Sequence, residues 1–207
     1  MMRKIALYLL LGTLWLASCQ MPVEEPLYTQ PTFDAKGDVQ AVIEIPAGTN
    51  QKIEFNPATK QFEVDVIDGK KRVIDFLPYP ANYGFIPSTL MTEAAGGDGD
   101  ALDVLVIGES QATGTLLAVR PIAALELLDE GEIDTKIIAV PADSTLQIIE
   151  ATDFATLLIR YNAVQYIIES WFLNYKGLGV MELVAWKNET EALRLIRRWT
   201  QKENLKN

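Results

Sequence analysis

"GGDGDALDVLVI", residues 96–107, sets Asp98, Asp100 and Asp103 among glycines at the entrance to an apolar, β-branched run. Asp98 and Asp100 are two residues apart, so on extended backbone they project to one side, and Asp103 rejoins them after a short turn. Unpaired carboxylates this close repel, and some would stay protonated at neutral pH. A solvated turn accounts for Asp98 and Gly99, since Gly and Asp are favoured there for local reasons. It does not account for Asp103, wedged between Leu102 and Val104. An EF-hand loop fits no better. Glu109 stands at the twelfth position, but Leu102 replaces a ligand, Asp103 replaces the glycine, and a strand follows where a helix is required. What remains is an all-oxygen divalent-cation cluster, which favours Mg2+ or Mn2+.

The rest of the chain narrows the chemistry. Its 207 residues suffice for one domain with additions at the ends. Twenty-eight carboxylates against 18 Lys and Arg argue against a nucleic-acid partner, because polyanion binding rests on cationic patches. There is no histidine, which removes Ser-His-Asp, Cys-His and histidine-ligated zinc chemistry. Catalysis is left to carboxylates, Lys, Arg, Tyr, hydroxyls and oxygen-held metals.

Residues 1–18 read as a leader: a basic "MMRK", then "IALYLLLGTLWLA" (5–17), too short for the roughly 20 residues that span a bilayer. Leu16-Ala17-Ser18-Cys19 resembles a bacterial lipobox, in which cleavage precedes an acylated cysteine. Cys19 is the only cysteine, and a mature chain starting there loses Arg3 and Lys4, moving the net charge from −10 to −12. Acyl chains on Cys19 would anchor the protein to a bacterial membrane in the cell envelope, outside the cytoplasm, at about 0.8 kcal/mol per buried methylene. Residues 19–37, with Pro22, Pro26 and Pro31, read as a flexible tether, and 38–207 as the folded domain.

Strand-like segments occupy 39–47, 52–56, 62–67, 71–77, 101–108, 116–128 and 135–142, punctuated by Gly, Pro, Asn or Asp. Short strands joined by turns predict a small barrel. The period then changes. Apolar residues at 154, 157, 158, 161, 164, 167, 168, 171 and 172 predict one helix over 152–176 with Thr152 or Asp153 as cap. A second is predicted over 188–204, where Asn188 and Glu191 have capping-box spacing; the Asn188-Glu189-Thr190 sequon is read as this cap. The expected fold is mainly β within an α+β class: a β-barrel with two C-terminal helices packed outside it.

Several stretches together carry a family resemblance. "DGDALDVLV" resembles the D-x-D-P-x-D signature of the soluble, magnesium-dependent inorganic pyrophosphatases of the family I type. "VIEIPAGTNQKIEF" (42–55) is similar to that family's first strands, "KRVIDFLPYPANYGFIPSTL" (71–90) to its Arg strand and Tyr-Pro-x-Asn-Tyr-Gly block, "VRPIAALELLDEGEIDTKIIAVP" (119–141) to its second acidic block, and "NYKGL" (174–178) to its helix-end Tyr-Lys pair. The resemblance covers about 40–187. It implies a five-stranded OB-like barrel and hydrolysis of pyrophosphate to two phosphates, with several Mg2+ ions (Mn2+ as the alternative). By position, it implies metal ligation by Asp98, Asp100, Asp103, Asp129 and Asp134. Asp100 corresponds also to the general base, with Tyr79 beside it. Phosphate would be held by Lys52, Arg72, Tyr83, Lys136, Tyr175 and Lys176. Glu44, Glu54 and Glu130 are implied as acids behind the ligands. The His-free inventory suits this reaction, since carboxylates gather cations around a polyanion and Lys and Arg neutralise its phosphates.

The match departs from the family at Ala101, where the signature has proline, and in the lengthened "EAAGGDGD" (93–100). The leader also sets this chain apart from a mostly cytoplasmic family. Two rivals keep part of the site: an anchored phosphate or divalent-metal binder without turnover, and a related hydrolase of nucleotides or polyphosphate. An OB-fold oligonucleotide binder is opposed by the charge. Relatives in the family are often homo-oligomers, but no interface is legible in the sequence.

Overall fold

The structure, a computed structural model, describes residues 27–201 except Pro57 and Asp98. The leader, Cys19 and Asp98 therefore lie outside the described residues. The described chain runs through β1 (Val39–Ile45), β2 (Ile53–Asn56), β3 (Gln61–Val64), β4 (Val66–Ile67), β5 (Lys70–Lys71), β6 (Asn82–Phe85), β7 (Asp103–Val106), β8 (Leu116–Asp129) and β9 (Glu132–Pro141). Helices α1 (Phe154–Arg160) and α2 (Asn162–Asn174), strand β10 (Met181–Asn188) and helix α3 (Glu189–Trp199) follow.

Strands β1, β6, β7, β9 and β8 pair in that order, and β8 pairs back onto β1, closing a five-stranded ring; β10 joins β8 as a sixth strand. The ring pairings are antiparallel except β7–β9, which is parallel. The expected barrel is present. Its wall strands are apolar on both faces, and alternation divides them between two cores. Leu105, Ile107, Ile138 and Val140 pack with Leu157 of α1 and with Ile168, Trp171 and Phe172 of α2. Val104, Val106, Ile137 and Ala139 pack with Ala192, Leu195 and Ile196 of α3. Full burial of each large apolar side chain contributes about 1.5–3 kcal/mol.

The "NYGF" stretch of β6 was not among the expected strands, because buried Asn82 and Gly84 break the apolar pattern. Tertiary contacts explain both. Asn82 Oδ1 accepts from the amides of Ala47 and Gln111, and its amide donates to the Glu109 carbonyl, so one side chain ties two loops to β6. A Cβ at Gly84 would lie 1.9 Å from the Val42 carbonyl oxygen, so β1 and β6 approach as closely as they do only at glycine. Strand β10 also escaped notice. It is held by its pairing to β8, with Met181 its one fully buried residue, and so shows little hydrophobic alternation. The expected strand at 71–77 shrinks to β5, and the chain beyond it is irregular.

The long helix expected at 152–176 is broken at Tyr161, whose φ of −134° and ψ of 33° are not helical. The Tyr161 hydroxyl accepts from the Glu150 amide, and its ring packs against the core. With the break, Leu158 and Ile167, expected on the apolar stripe, face solvent. Asp153 caps α1 through the Thr156 amide, and Asn188 caps α3 through the Glu191 amide. The Glu191 carboxylate pairs with Arg194.

The tether reading needs correction over its described part. Leu27–Thr29 forms a single 3-10 turn, Thr32 is buried and donates to the Pro87 carbonyl, and Phe33 bridges Val39. Tyr28 and Phe33 find apolar partners on the barrel, which outweighs the extended preference of a proline-bearing segment.

Candidate active site

One end of the barrel opens into a cavity of about 380 Å3. Its lining draws Glu44 from β1, Lys52 and Glu54 from β2 and its approach, Arg72 and Tyr79 from the irregular loop, and Tyr83 from β6. Asp100 and Asp103 come from the β7 approach, Asp129 from the end of β8, Glu132, Asp134 and Lys136 from β9, and Tyr175 and Lys176 from beyond α2. Residues 132, 134 and 136 alternate along β9, which turns all three side chains to the cavity. Every described residue singled out from the sequence is here except one.

That exception is Glu130. It occupies the β8–β9 hairpin turn, exposed, with φ of 51° followed by 94° at Gly131. Positive φ at both central residues is the demand of a type I′ hairpin, and the turn carries Glu130 away from the cavity. Glu132, paired with Asp129 across the hairpin, lines the cavity instead. Strand alternation with Asp134 was the signal that could have found it. Of the adjacent bases Lys71 and Arg72, Arg72 lines the cavity while Lys71 is exposed on β5. Arg72 is held by Asp65 at 3.2 Å, a partner the sequence reading did not anticipate.

The aspartate segment is pinned by backbone. Met91 donates to the Asp100 carbonyl, Ile86 donates to the Leu102 carbonyl, and the Leu102 amide donates to the Thr89 hydroxyl. Asp103 Oδ2 accepts from the Tyr83 hydroxyl at 2.5 Å and from the ammonium of buried Lys136. Lys136 also lies 2.6 Å from Asp134 Oδ1, an ion pair off hydrogen-bonding geometry. Lys176 pairs with Asp129, Lys52 with Glu54 at 2.6 Å, and Glu44 accepts from the Phe55 amide at 2.7 Å. Behind these, Trp171 lies against Tyr79 and stacks on Tyr175, each at 4.6 Å, while its indole N–H donates to the Leu77 carbonyl, fixing α2 to the loop.

The electrostatics follow from crowding. Seven carboxylates line the cavity against four cations, a formal excess of three negative charges before any substrate enters. Burial pushes the Glu44 carboxyl up to about 8, helped by Asp103 and Glu54. Burial, with Asp103 and Glu54 nearby, also raises Asp100, and burial with Asp103 and Asp129 raises Asp134 against the pull of Lys136. Burial alone would lower Lys136, but Asp103 and Asp134 outweigh it and hold it charged. Burial raises Tyr175 to about 12 and raises Tyr79 and Tyr83 further, so these phenols stay donors.

The donor set fits a divalent cation. Oδ1 of Asp129 is buried with no hydrogen-bond partner, which is costly for a carboxylate unless a cation completes it. Among the described residues no three carboxylates are already gathered into a metal cage; lysines hold them, and Asp98 lies outside the described residues.

Known proteins share this arrangement of chain. The sequence family described as "Inorganic pyrophosphatase" matches residues 41–204. The inorganic pyrophosphatase of Neisseria meningitidis serogroup A is 36% identical over 172 residues, covering 81% of this chain and 90% of that protein. The crystal structure of the inorganic pyrophosphatase from Thermus thermophilus superposes with a TM-score of 0.72 at 29% identity, covering 84% of this chain and 97% of that one. That from Neisseria gonorrhoeae gives 0.67 at 32% identity, covering 85% and 96%. A five-stranded ring, an acidic cavity at its end and a match across nearly the whole described domain converge: the chain belongs to the inorganic pyrophosphatase family.

Proposed function

We propose that this protein is an envelope-anchored, Mg2+-dependent inorganic diphosphatase that converts pyrophosphate and water into two phosphates. The observation that carries the reading is the charge of the cavity. Even with Glu44 protonated, the lining carboxylates outnumber the cations, and this negative field repels a substrate that is itself a polyanion, so only a site that first takes up divalent cations can hold it.

Asp98, Asp100, Asp103, Asp129 and Asp134 would hold the ions, and Mg2+ suits their all-oxygen donors. When bound, Mg2+ neutralises phosphate charge and makes a coordinated water more acidic. Asp100, raised by burial and by Asp103 and Glu54, takes the proton of the attacking water at its carboxylate. Tyr79 stands behind that base. Lys136 and Lys176 turn from Asp103 and Asp129 to phosphate oxygens, while Lys52, Arg72, Tyr83 and Tyr175 complete the clamp on the electrophilic and leaving groups. Glu44 and Glu54 orient water and Lys52 from behind.

The leader and Cys19 support a lipid-anchored protein outside the cytoplasm. Among the described residues no helix is long and apolar enough to cross a membrane. Phosphate release from pyrophosphate by the full-length chain in detergent, with Mg2+, tests the activity. Release no faster than in buffer would overturn it.

A further inference from the structure

The family match begins at residue 41, yet Tyr28, well before it, lines the cavity. Its ring lies 5.4 Å from that of Phe85 and stacks on Phe55 at 6.3 Å. Leu27, Tyr28 and Phe55 pack on the cluster of Val42, Phe85 and Ala101. Ala101 is the residue between Asp100 and Asp103 where the family signature has proline.

A second set of contacts links the same segment to the same loop through backbone. The Ser88 amide donates to the Tyr28 carbonyl, the Ser88 hydroxyl donates to the Gln30 carbonyl, and the Thr32 hydroxyl donates to the Pro87 carbonyl. Ser88 has a φ of 55°, a left-handed conformation that a non-glycine residue holds only when its surroundings impose it. Its neighbours in sequence are the clamps on the aspartate loop: Ile86 and Thr89 grip the two sides of the Leu102 peptide. The chain of contacts is continuous from Tyr28 through Ser88 to Leu102.

We infer that residues 27–32 are a positioning element for the metal-binding aspartates, with Tyr28 its principal side chain. An alanine at position 101 leaves the turn between Asp100 and Asp103 with more freedom than proline would. The N-terminal segment restricts that freedom from outside, through the Tyr28 ring against the Ala101 cluster and through the strained Ser88 peptide. Cation affinity is thereby tied to how the segment leading from Cys19 is docked. This rests on the proposed use of Asp100 and Asp103 as Mg2+ ligands.

Calorimetric titration of Mg2+ into the metal-free, full-length protein in detergent tests it, beside KM and kcat for pyrophosphate. Tyr28→Ala is expected to weaken Mg2+ binding by about tenfold, the lower end of the loss seen when partners behind metal ligands are removed. Tyr28→Phe keeps the ring and should stay within about twofold of wild type. Phe33→Ala serves as comparator, because Phe33 lies just outside residues 27–32 and packs on the other core, against Arg197 and Val39. It should lower the thermal midpoint as Tyr28→Ala does while leaving Mg2+ affinity unchanged. The inference is overturned if Tyr28→Ala binds Mg2+ like wild type, if Tyr28→Phe loses as much as Ala, or if Phe33→Ala weakens Mg2+ equally. A wild type that binds no Mg2+ would sink the proposed function as well, and so is told apart from failure of Tyr28 alone.

Discussion

Asp103 and Lys136 stand opposite each other across the one parallel strand pair of the barrel, and the buried ammonium of Lys136 is shared between Asp103 and Asp134. One lysine thus bridges two acids from adjacent strands. Removing one partner of such a buried group costs about 3–5 kcal/mol, because the remaining charges stay buried and uncompensated. Lys136→Met is therefore expected to lower the thermal midpoint of the metal-free protein on the order of 10 °C. Saturating Mg2+ should recover more of the midpoint in the variant than it adds in wild type. Differential scanning calorimetry with and without chelator checks both.

Asp100 lies at the mouth of the cavity, raised by burial and by Asp103 and Glu54. Asp100→Asn keeps an oxygen for a cation but cannot take a proton. It should lower kcat by about 10²–10⁴, the range supplied by a placed general base, while Mg2+ still binds. Single-turnover phosphate release and Mg2+ titration on the same preparation separate the effects; near-normal kcat would show the base to be elsewhere.

Burial pushes the Glu44 carboxyl from an ordinary value of 4.5 up to about 8 in the folded protein. The folded state thus holds this proton more tightly than the unfolded chain does. The associated stability is present below pH 4.5 and is lost progressively as pH rises toward about 8. Glu44→Gln retains an oxygen for the Phe55 amide and removes the titration. In chelator, the variant should gain on wild type as pH rises from 5 to 9. A gap in thermal midpoints that is flat with pH would contradict the buried, protonated carboxyl.

Glu130 and Glu132 make a paired test of the cavity's boundary. Glu130→Gln, in the solvated turn, should leave kcat/KM within about twofold of wild type, as exposed substitutions away from special features do. Glu132→Gln removes one of the lining charges and should shift the Mg2+ concentration that gives half-maximal rate. Steady-state kinetics across a Mg2+ series distinguishes the two positions.

Cys19→Ala should release the protein from membranes. Fractionation of cells into soluble and detergent-extracted pools reads this directly, and a variant still requiring detergent would contradict anchoring through Cys19.

Much of this was legible from residue order. Asp103 could not belong to a solvated turn because it opens an apolar strand, and that local conflict pointed to a cation site. Alternating β-branched runs at 101–108, 116–128 and 135–142 became β7, β8 and β9, since period-two burial is a local property. The caps Asp153 and Asn188 likewise follow from bonds to residues three positions away. Other features depend on contacts between distant segments. Asn82 and Gly84 sit in a strand only because two loops need one amide and two backbones need close approach. Tyr161 breaks a helix that periodicity would continue, because its hydroxyl and ring are claimed by the loop at Glu150 and by the core. Glu130 and Glu132 are equally acidic neighbours, and the handedness of a two-residue hairpin alone decides which one meets the cavity. Local chemistry, then, determined the elements and the acidic character of the site. Which side chains share the cavity, and that Tyr28 is among them, was decided by closure of the barrel, which brings together residues that neither propensity nor spacing can relate.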